Sequence, residues 1–239
     1  MTRQQKKRST QALLSMPEIR AVRTALSGPE EAALFEWLYT NGARASEPGL
    51  AQMSDVDLHT NRVRLIHLKH GLAPVGVPLA PQCHAALVAW FKARPSHTDA
   101  RKTYVFPRRA IIDCYGCKST GKVERQFRDK KGNTTKKIVA CPLCAGAGRC
   151  PGLTRHDVRH MIVALFKRAG VPEALHFPHV LRHSAVTHLL NKKMLPTAIQ
   201  QRVGHKSVET TYGYMHATEE SHAEVARAFA DDEEGDDHV

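Results

Sequence analysis

The sequence predicts an α+β fold that is mostly helical, with a small antiparallel sheet and a small cysteine-rich insertion. Three observations carry this expectation. Apolar residues recur at helical spacing through both halves of the chain, and two short extended runs flank Gly71. Residues 110–152 differ from their surroundings, with five of the six cysteines, six of the glycines and a run of Lys and Arg.

In chain order, residues 1–12 form a basic, polar, flexible arm. Ser15-Met16-Pro17-Glu18 reads as a helix start, with Ser15 or Met16 near the cap and proline in the first turn. Leu34, Leu38 and the neighbouring Ala, Phe and Trp suit a buried helix. Asp57–Leu68 and Pro74–Leu79 read as short strands around a turn at Gly71. Pro81–Arg94 returns to helical periodicity, and Tyr104-Val105-Phe106 reads as one more short extended piece. Helical patterns resume at Leu153–Ala169, His179–Asn191, Pro196–Val203, Val208–His216 and Glu219–Ala230. The last stretch, 231–239, lacks a helical or strand pattern and is expected to be disordered.

A chain of 239 residues with an apolar fraction of 42% can bury a core, which excludes disorder throughout. Its formal charge is +12, yet residues 231–239 carry six acids and no Lys or Arg, so residues 1–230 stand at +18. A folded body that basic points to a polyanion, with nucleic acid the first candidate. No run of about 18 apolar residues exists to span a membrane, and the N-terminus lacks the apolar core of a signal peptide. Four cysteines fall in Cys-x-x-Cys pairs, which favours metal over disulfides and a cytoplasmic protein.

His179 and Arg182, three residues apart, share one face of a helix. Gly204-His205 follows, Tyr214 comes nine residues after His205, and Arg44 lies far upstream. On a basic chain with no Gly-Lys-Ser/Thr triphosphate loop, this set suggests phosphodiester chemistry with tyrosine as nucleophile. Such chemistry needs charge-assisted donors on the non-bridging phosphate oxygens, for which the planar fork of arginine is suited. It also needs a proton taken from the nucleophile, a proton given to the leaving 5′-oxygen, and transition-state charge met by groups already in place.

Phe177-Pro178-His179-Val180-Leu181-Arg182-His183-Ser184, Val203-Gly204-His205-Lys206-Ser207 and Glu209-Thr210-Thr211-Tyr212-Gly213-Tyr214-Met215-His216 resemble the tyrosine recombinase (phage integrase) family. Thr40-Asn41-Gly42-Ala43-Arg44-Ala45-Ser46-Glu47 resembles that family's first-arginine motif, with Asn41 and Ala43 as departures. The resemblance implies a recombinase catalytic domain formed by 13–109 and 153–230, interrupted by an insertion at 110–152. It implies Arg44 and Arg182 as a phosphate clamp, His179 as proton-transfer residue, His205 as a supporting donor and Tyr214 as the nucleophile of a 3′-phosphotyrosyl link. Tyr212 competes for that last role, but the nine-residue interval and the trailing His216 favour Tyr214. A family lysine that protonates the leaving oxygen has its counterpart in Lys69, and Glu47 matches an acidic position that orients the first arginine. By the same resemblance the chemistry needs neither metal nor ATP, the substrate is double-stranded DNA, and four subunits assemble on two sites. The implied function is site-specific recombination, of the integrase, excisionase or invertase type, for a mobile element. The rivals are relaxation of supercoils by a type IB topoisomerase and a non-catalytic DNA-binding regulator.

Cys114-Tyr115-Gly116-Cys117 and Cys141-Pro142-Leu143-Cys144 are two knuckles with 23 residues between Cys117 and Cys141. Four thiolates in this pattern suit one tetrahedral, structural zinc ion, with Cys150 as an alternative ligand. Residues 141–148 also resemble a knuckle of the J-domain chaperone zinc region, which implies local shape only. Between the knuckles lie eight Lys and Arg against Glu124 and Asp129. Because the first-arginine segment begins at residue 40, a catalytic domain alone is expected, with this basic insertion and the basic arm supplying grip on DNA. Purely structural use of the zinc is the competing reading.

Overall fold

A computed structural model describes residues 13–67, 74–114, 116–128, 134–141, 144, 146–205 and 207–212. The first helix, α1 (Met16–Thr24), starts at a capping box: the Ser15 hydroxyl accepts from the Glu18 amide, and the Glu18 carboxylate accepts from the Ser15 amide at 2.7 Å. Helix α2 (Pro29–Thr40) buries Leu34, Phe35, Trp37 and Leu38 on several faces, which makes it the central helix of the body. Even its Glu36 is buried, held by a fork of bonds from Arg23 at 2.7 and 3.1 Å.

After Arg44 come two 3-10 turns, Pro48–Leu50 and Met53–Asp55, and then an antiparallel sheet. It contains β1 (Val56–Asp57), β2 (Arg62–Leu65) and β3 (Val75–Pro78) in that order, with Val63 opposite Val77 and Leu65 opposite Val75. Lys69 belongs to the β2–β3 connection, and it lies outside the described residues. Helix α3 (Pro81–Ala93) follows, and its Trp90 indole donates to the Val105 carbonyl at 2.8 Å.

Tyr104 makes only an isolated bridge to Gln52, so the regular strand β4 (Pro107–Asp113) starts later than the extended piece expected at 104–106. The ribbon of β5 (Lys122–Arg128) and β6 (Thr134–Ala140) forms a sheet of its own. β7 (Arg149–Gly152) then returns antiparallel to β4, so that the two strands form the stem of the cysteine-rich segment.

Helix α4 (Arg155–Arg168) begins after Leu153, because Thr154 caps it in a box with Asp157. Arg108 on β4 reaches that same Asp157 at 2.5 Å and fixes the stem to α4. Helices α5 (His179–Asn191) and α6 (Pro196–Val203) have the bounds expected from periodicity, and the short α7 (Val208–Tyr212) ends the described part. The N-terminal arm 1–12, Tyr214, the expected helix Glu219–Ala230 and the acidic tail lie outside the described residues. Among the described residues no helix is long and apolar enough to cross a membrane.

One backbone contact joins the insertion to the body. A Cβ on Gly49 would lie 1.6 Å from the Leu153 carbonyl oxygen, and one on Gly152 would lie 2.1 Å from the Gly49 carbonyl oxygen. The exit of β7 therefore rests on the Pro48–Leu50 turn, directly after Glu47. Gly49→Ala is expected to lower stability by about 1–3 kcal/mol through overpacking, whereas Gly76→Ala, which meets only the end of the Arg62 side chain at 3.8 Å, should lower it by less than about 0.5 kcal/mol. Urea midpoints of the two variants test this; equal midpoints would contradict the contact.

Candidate active site

The site grows out of the end of α2. Asn41 caps that helix, and Gly42 turns the chain with φ +58°, a conformation that favours glycine. The turn also needs the missing side chain, since a Cβ there would lie 2.6 Å from Cγ1 of Val203. Arg44 follows. Glu47 accepts from the Arg44 amide at 2.7 Å and from its Nη1 at 2.9 Å, which fixes both backbone and guanidinium. Nη2 of Arg44 donates to the Gly204 carbonyl at 3.2 Å.

Arg182 approaches from α5. Its side chain is buried, and its Nη1 donates to the carbonyls of Gly42 at 2.6 Å and Val203 at 2.5 Å. Both arginines thus bond the C-terminal end of α6, where Gly204 adopts φ +67° and closes the helix. His205 comes next and is 7% exposed, with Nδ1 at 2.9 Å from the Thr211 hydroxyl of α7. Burial pushes its pKa down to about 4, helped by the charges of Arg182 and Arg44. The ring is therefore neutral near pH 7. If the Thr211 hydroxyl donates to Nδ1, the proton sits on Nε2, which makes that atom a donor toward an anion.

His179, at the start of α5, is exposed, and its ring meets that of His183 edge to face at 4.4 Å. Burial, and then the Arg182 charge, lower the pKa of His183. Four expected residues (Arg44, His179, Arg182 and His205) therefore come together, while Lys69 and Tyr214 lie outside the described residues.

Two further residues belong to this neighbourhood and escaped the sequence reading. His67 is buried, and its ring fills the space that a Cβ on Gly204 would need, 2.5 Å from Cγ. Its pKa is lowered by burial, against a pull from Glu47 and with a push from Arg44 and Arg182. The signal was present: Val63, Leu65 and His67 alternate inward at a period of two. Arg202 on α6 donates to the Thr40 carbonyl at 3.0 Å, Asn41 Oδ1 at 3.1 Å and the Pro78 carbonyl at 3.0 Å, and so ties α6 to α2 and β3.

The cysteines form a second site. The Sγ atoms of Cys114 and Cys141 are 3.8 Å apart, those of Cys117 and Cys144 3.7 Å, and all four lie within 4.8 Å of one another. Sulfurs at the corners of a tetrahedron with bonds of about 2.3 Å would be about 3.8 Å apart, so the set fits a zinc-sized tetrahedral ion. The two knuckles are related by a local two-fold. Gly121 and Gly148 amides donate to Cys117 and Cys144 sulfurs at 3.2 and 3.3 Å. The Cys114 and Cys141 amides donate across to the Gly148 and Gly121 carbonyls at 2.9 and 2.8 Å. Cys150 packs on this cluster, while Cys83 is a thiol of the main core whose pKa burial pushes up to about 12.

The profile of the phage integrase family matches residues 10–221. The tyrosine recombinase XerD of Bifidobacterium longum (strain NCC 2705) is 30% identical over 189 residues, 79% of this chain and 50% of that protein. The tyrosine recombinase XerC of Bacillus subtilis (strain 168) is 27% identical over 194 residues, 81% of this chain and 51% of that protein. The chain thus spans about half the length of these relatives. Among solved structures, that of XerA recombinase superposes with a TM-score of 0.62 at 23% identity, covering 95% of this chain and 66% of that one. The XerH site-specific recombinase bound to difH substrate gives 0.59 at 17% identity, covering 90% and 53%.

The depressed basicity of His205 has a measurable sign. Unfolded chains take up a proton near pH 6.5 that the folded ring accepts only near pH 4, so its contribution to stability is present above about 6.5 and is lost as pH falls toward 4. Nitrogen-15 spectra of the DNA-free protein should show a neutral His205 ring down to about pH 5; a midpoint at the ordinary value would contradict the burial and charge argument.

Proposed function

The chain belongs to the phage integrase family, and from that premise we propose that it is a site-specific recombinase of double-stranded DNA. The observation that carries the proposal is the convergence of Arg44, Arg182 and His205 on one stretch, Val203-Gly204-His205. Two guanidinium charges next to a neutral imidazole suit a phosphodiester entering the transition state of transesterification. Relatives and solved neighbours named as recombinases or integrases, among them the Tn1549 transposon integrase in complex with a circular intermediate DNA, support the same reading.

In this reading Tyr214, two residues past the end of α7 in sequence, gives up its phenolic proton with His179 handling the transfer. The phenolic oxygen attacks the scissile phosphorus as the bond to the 5′-oxygen breaks. Lys69 supplies a proton to that leaving oxygen. Arg44 and Arg182 clamp the non-bridging oxygens, and His205 adds a hydrogen bond. A 5′-hydroxyl of a second duplex then attacks the phosphotyrosine, restores the phosphodiester and frees Tyr214, so bond energy is conserved without ATP. Four subunits on two sites would perform the exchange, in the cytoplasm. We assign 13–109 and 153–230 to the catalytic domain and 110–152 to an insertion held by one structural zinc on Cys114, Cys117, Cys141 and Cys144. The zinc replaces a core that so short a segment could not build.

Denaturing host cells and sequencing the DNA that stays covalently attached tests the nucleophile. Wild-type protein and Tyr212→Phe should give adducts at discrete sites, and Tyr214→Phe none. Loss in Tyr212→Phe alone would move the nucleophile, and dispersed adducts would indicate supercoil relaxation instead. Arg44→Ala should lower adduct formation about 10²–10³-fold, as loss of a transition-state donor does.

Metal analysis of the purified protein should give one zinc per chain, falling below half in Cys117→Ser. Retention of full zinc by that variant would remove the four-thiolate assignment.

A further inference from the structure

The β5–β6 ribbon is a structure without a core of its own beyond its base. Val123 packs on the cysteine cluster, but from there outward the described positions of both strands are exposed, including Phe127 at 43% and Ile138 at 74%. Phe127 keeps part of its ring open beside the cations of its own face, so what each face offers a partner is set by how the side chains are sorted between the two.

The register sorts the charges by face. Arg125 stands directly opposite Lys137, and Phe127 directly opposite Thr135, on the same face as Val123 and Val139. Two cations directly opposed in an antiparallel ladder, with Cβ atoms about 5 Å apart, repel one another. No acid relieves them: that face carries none among the described residues. The acid of the ribbon, Glu124, projects from the other face, where Lys136 pairs with it at 2.9 Å. Lys137 also lies over the Phe127 ring, 5.9 Å from its centroid.

We infer that the Arg125–Lys137–Phe127 face of this ribbon is a contact surface for the phosphate backbone of duplex DNA. The two opposed cations would each take a phosphate, which removes their mutual repulsion on binding. Phe127, between them and the tip, would lie against the sugars. Seven paired positions at about 3.3 Å give an arm roughly 20 Å long, and a two-stranded ribbon fits the major groove of about 12 Å. The knuckles fix the base of the arm, and the β4–β7 stem fixes the knuckles to the turn after Glu47. The arm is thus held at a set position relative to Arg44, as a backbone contact outside the reaction centre requires.

This inference rests on the chain acting on DNA, and its test is separable from the recombinase reading. The full-length protein is titrated onto a short duplex of arbitrary sequence at several salt concentrations. Arg125→Gln/Lys137→Gln should reduce the slope of log affinity against log salt by about 2, one for each phosphate released. Lys122→Gln/Lys136→Gln, an equal charge change on the opposite face, should leave the slope within about 0.5 of wild type. Phe127→Ala should bind roughly tenfold more weakly with its slope kept, as loss of an apolar contact of that size does. Equal loss of slope in both pairs would reduce the effect to diffuse charge and overturn the inference, as would no loss in either. Unchanged binding by Arg125→Gln/Lys137→Gln with loss only of higher-order complexes would make the surface a protein contact, and would also overturn it. Zinc content equal to wild type confirms that each variant keeps the module. Covalent adducts at Tyr214 are read independently. Their absence in a protein whose ribbon passes this test would remove strand transfer and leave the DNA surface standing.

Discussion

The guanidinium of Arg182, 1% exposed, is a full charge inside the protein, and such a charge persists only where oriented dipoles take over from water. Here the carbonyls of Gly42 and Val203 do so, from segments 140 residues before it and 21 after it. Each charged hydrogen bond contributes on the order of 1.5–3 kcal/mol, and a segment that leaves Arg182 forfeits its bond and uncovers a buried charge. Much of the site follows from this. Gly42 must be left-handed to present its carbonyl, and Gly204 must close α6 where Arg44 can reach it. Burial above all, and then the same two positive charges that await an anion, keep His205 unprotonated, so the arginines carry the charge there.

The insertion solves a separate problem with the same economy of contacts. Its centre is four sulfurs and two glycine turns related by a local two-fold, in place of an apolar core. Gly121 and Gly148 are required there by left-handed φ values and by close backbone neighbours, so the spacing of glycine after each knuckle is a structural signature. The stem then meets the body backbone to backbone at Gly49 and Gly152, so the insertion abuts the segment that carries Arg44 and Glu47. Through that joint, disorder in the module would reach the arginine loop.

What could be read in the sequence was what is local or what chemistry constrains by residue type. The Ser15 box, α5 and α6 were legible because caps and a 3.6-residue period are local properties. Arg44, Arg182 and His205 were legible because phosphate chemistry restricts the residue types and their order. The role of Arg202 was not, since its partners lie up to 162 residues away and a lone arginine on a helix has no distinguishing pattern. Nothing local in the sequence distinguishes Gly49, and only the approach of Leu153 explains it. Tyr104–Phe106 has the composition of a strand but finds only a single bridge, because pairing depends on a partner that propensity cannot specify. His67 was legible in principle, through the inward alternation of Val63 and Leu65.

The central claim is that Arg182 assembles the site before DNA arrives. Amide hydrogen exchange in DNA-free Arg182→Lys, which keeps the charge and loses the planar guanidinium whose Nη1 bridges the two carbonyls, tests it most directly. The account predicts that the Arg44 amide, held by Glu47, and the Gly204 and His205 amides, held by Gln200, lose protection together while the helical amides of α3 keep theirs. Wild-type protection at all three amides in that variant would show that Arg182 is not what holds these segments in place.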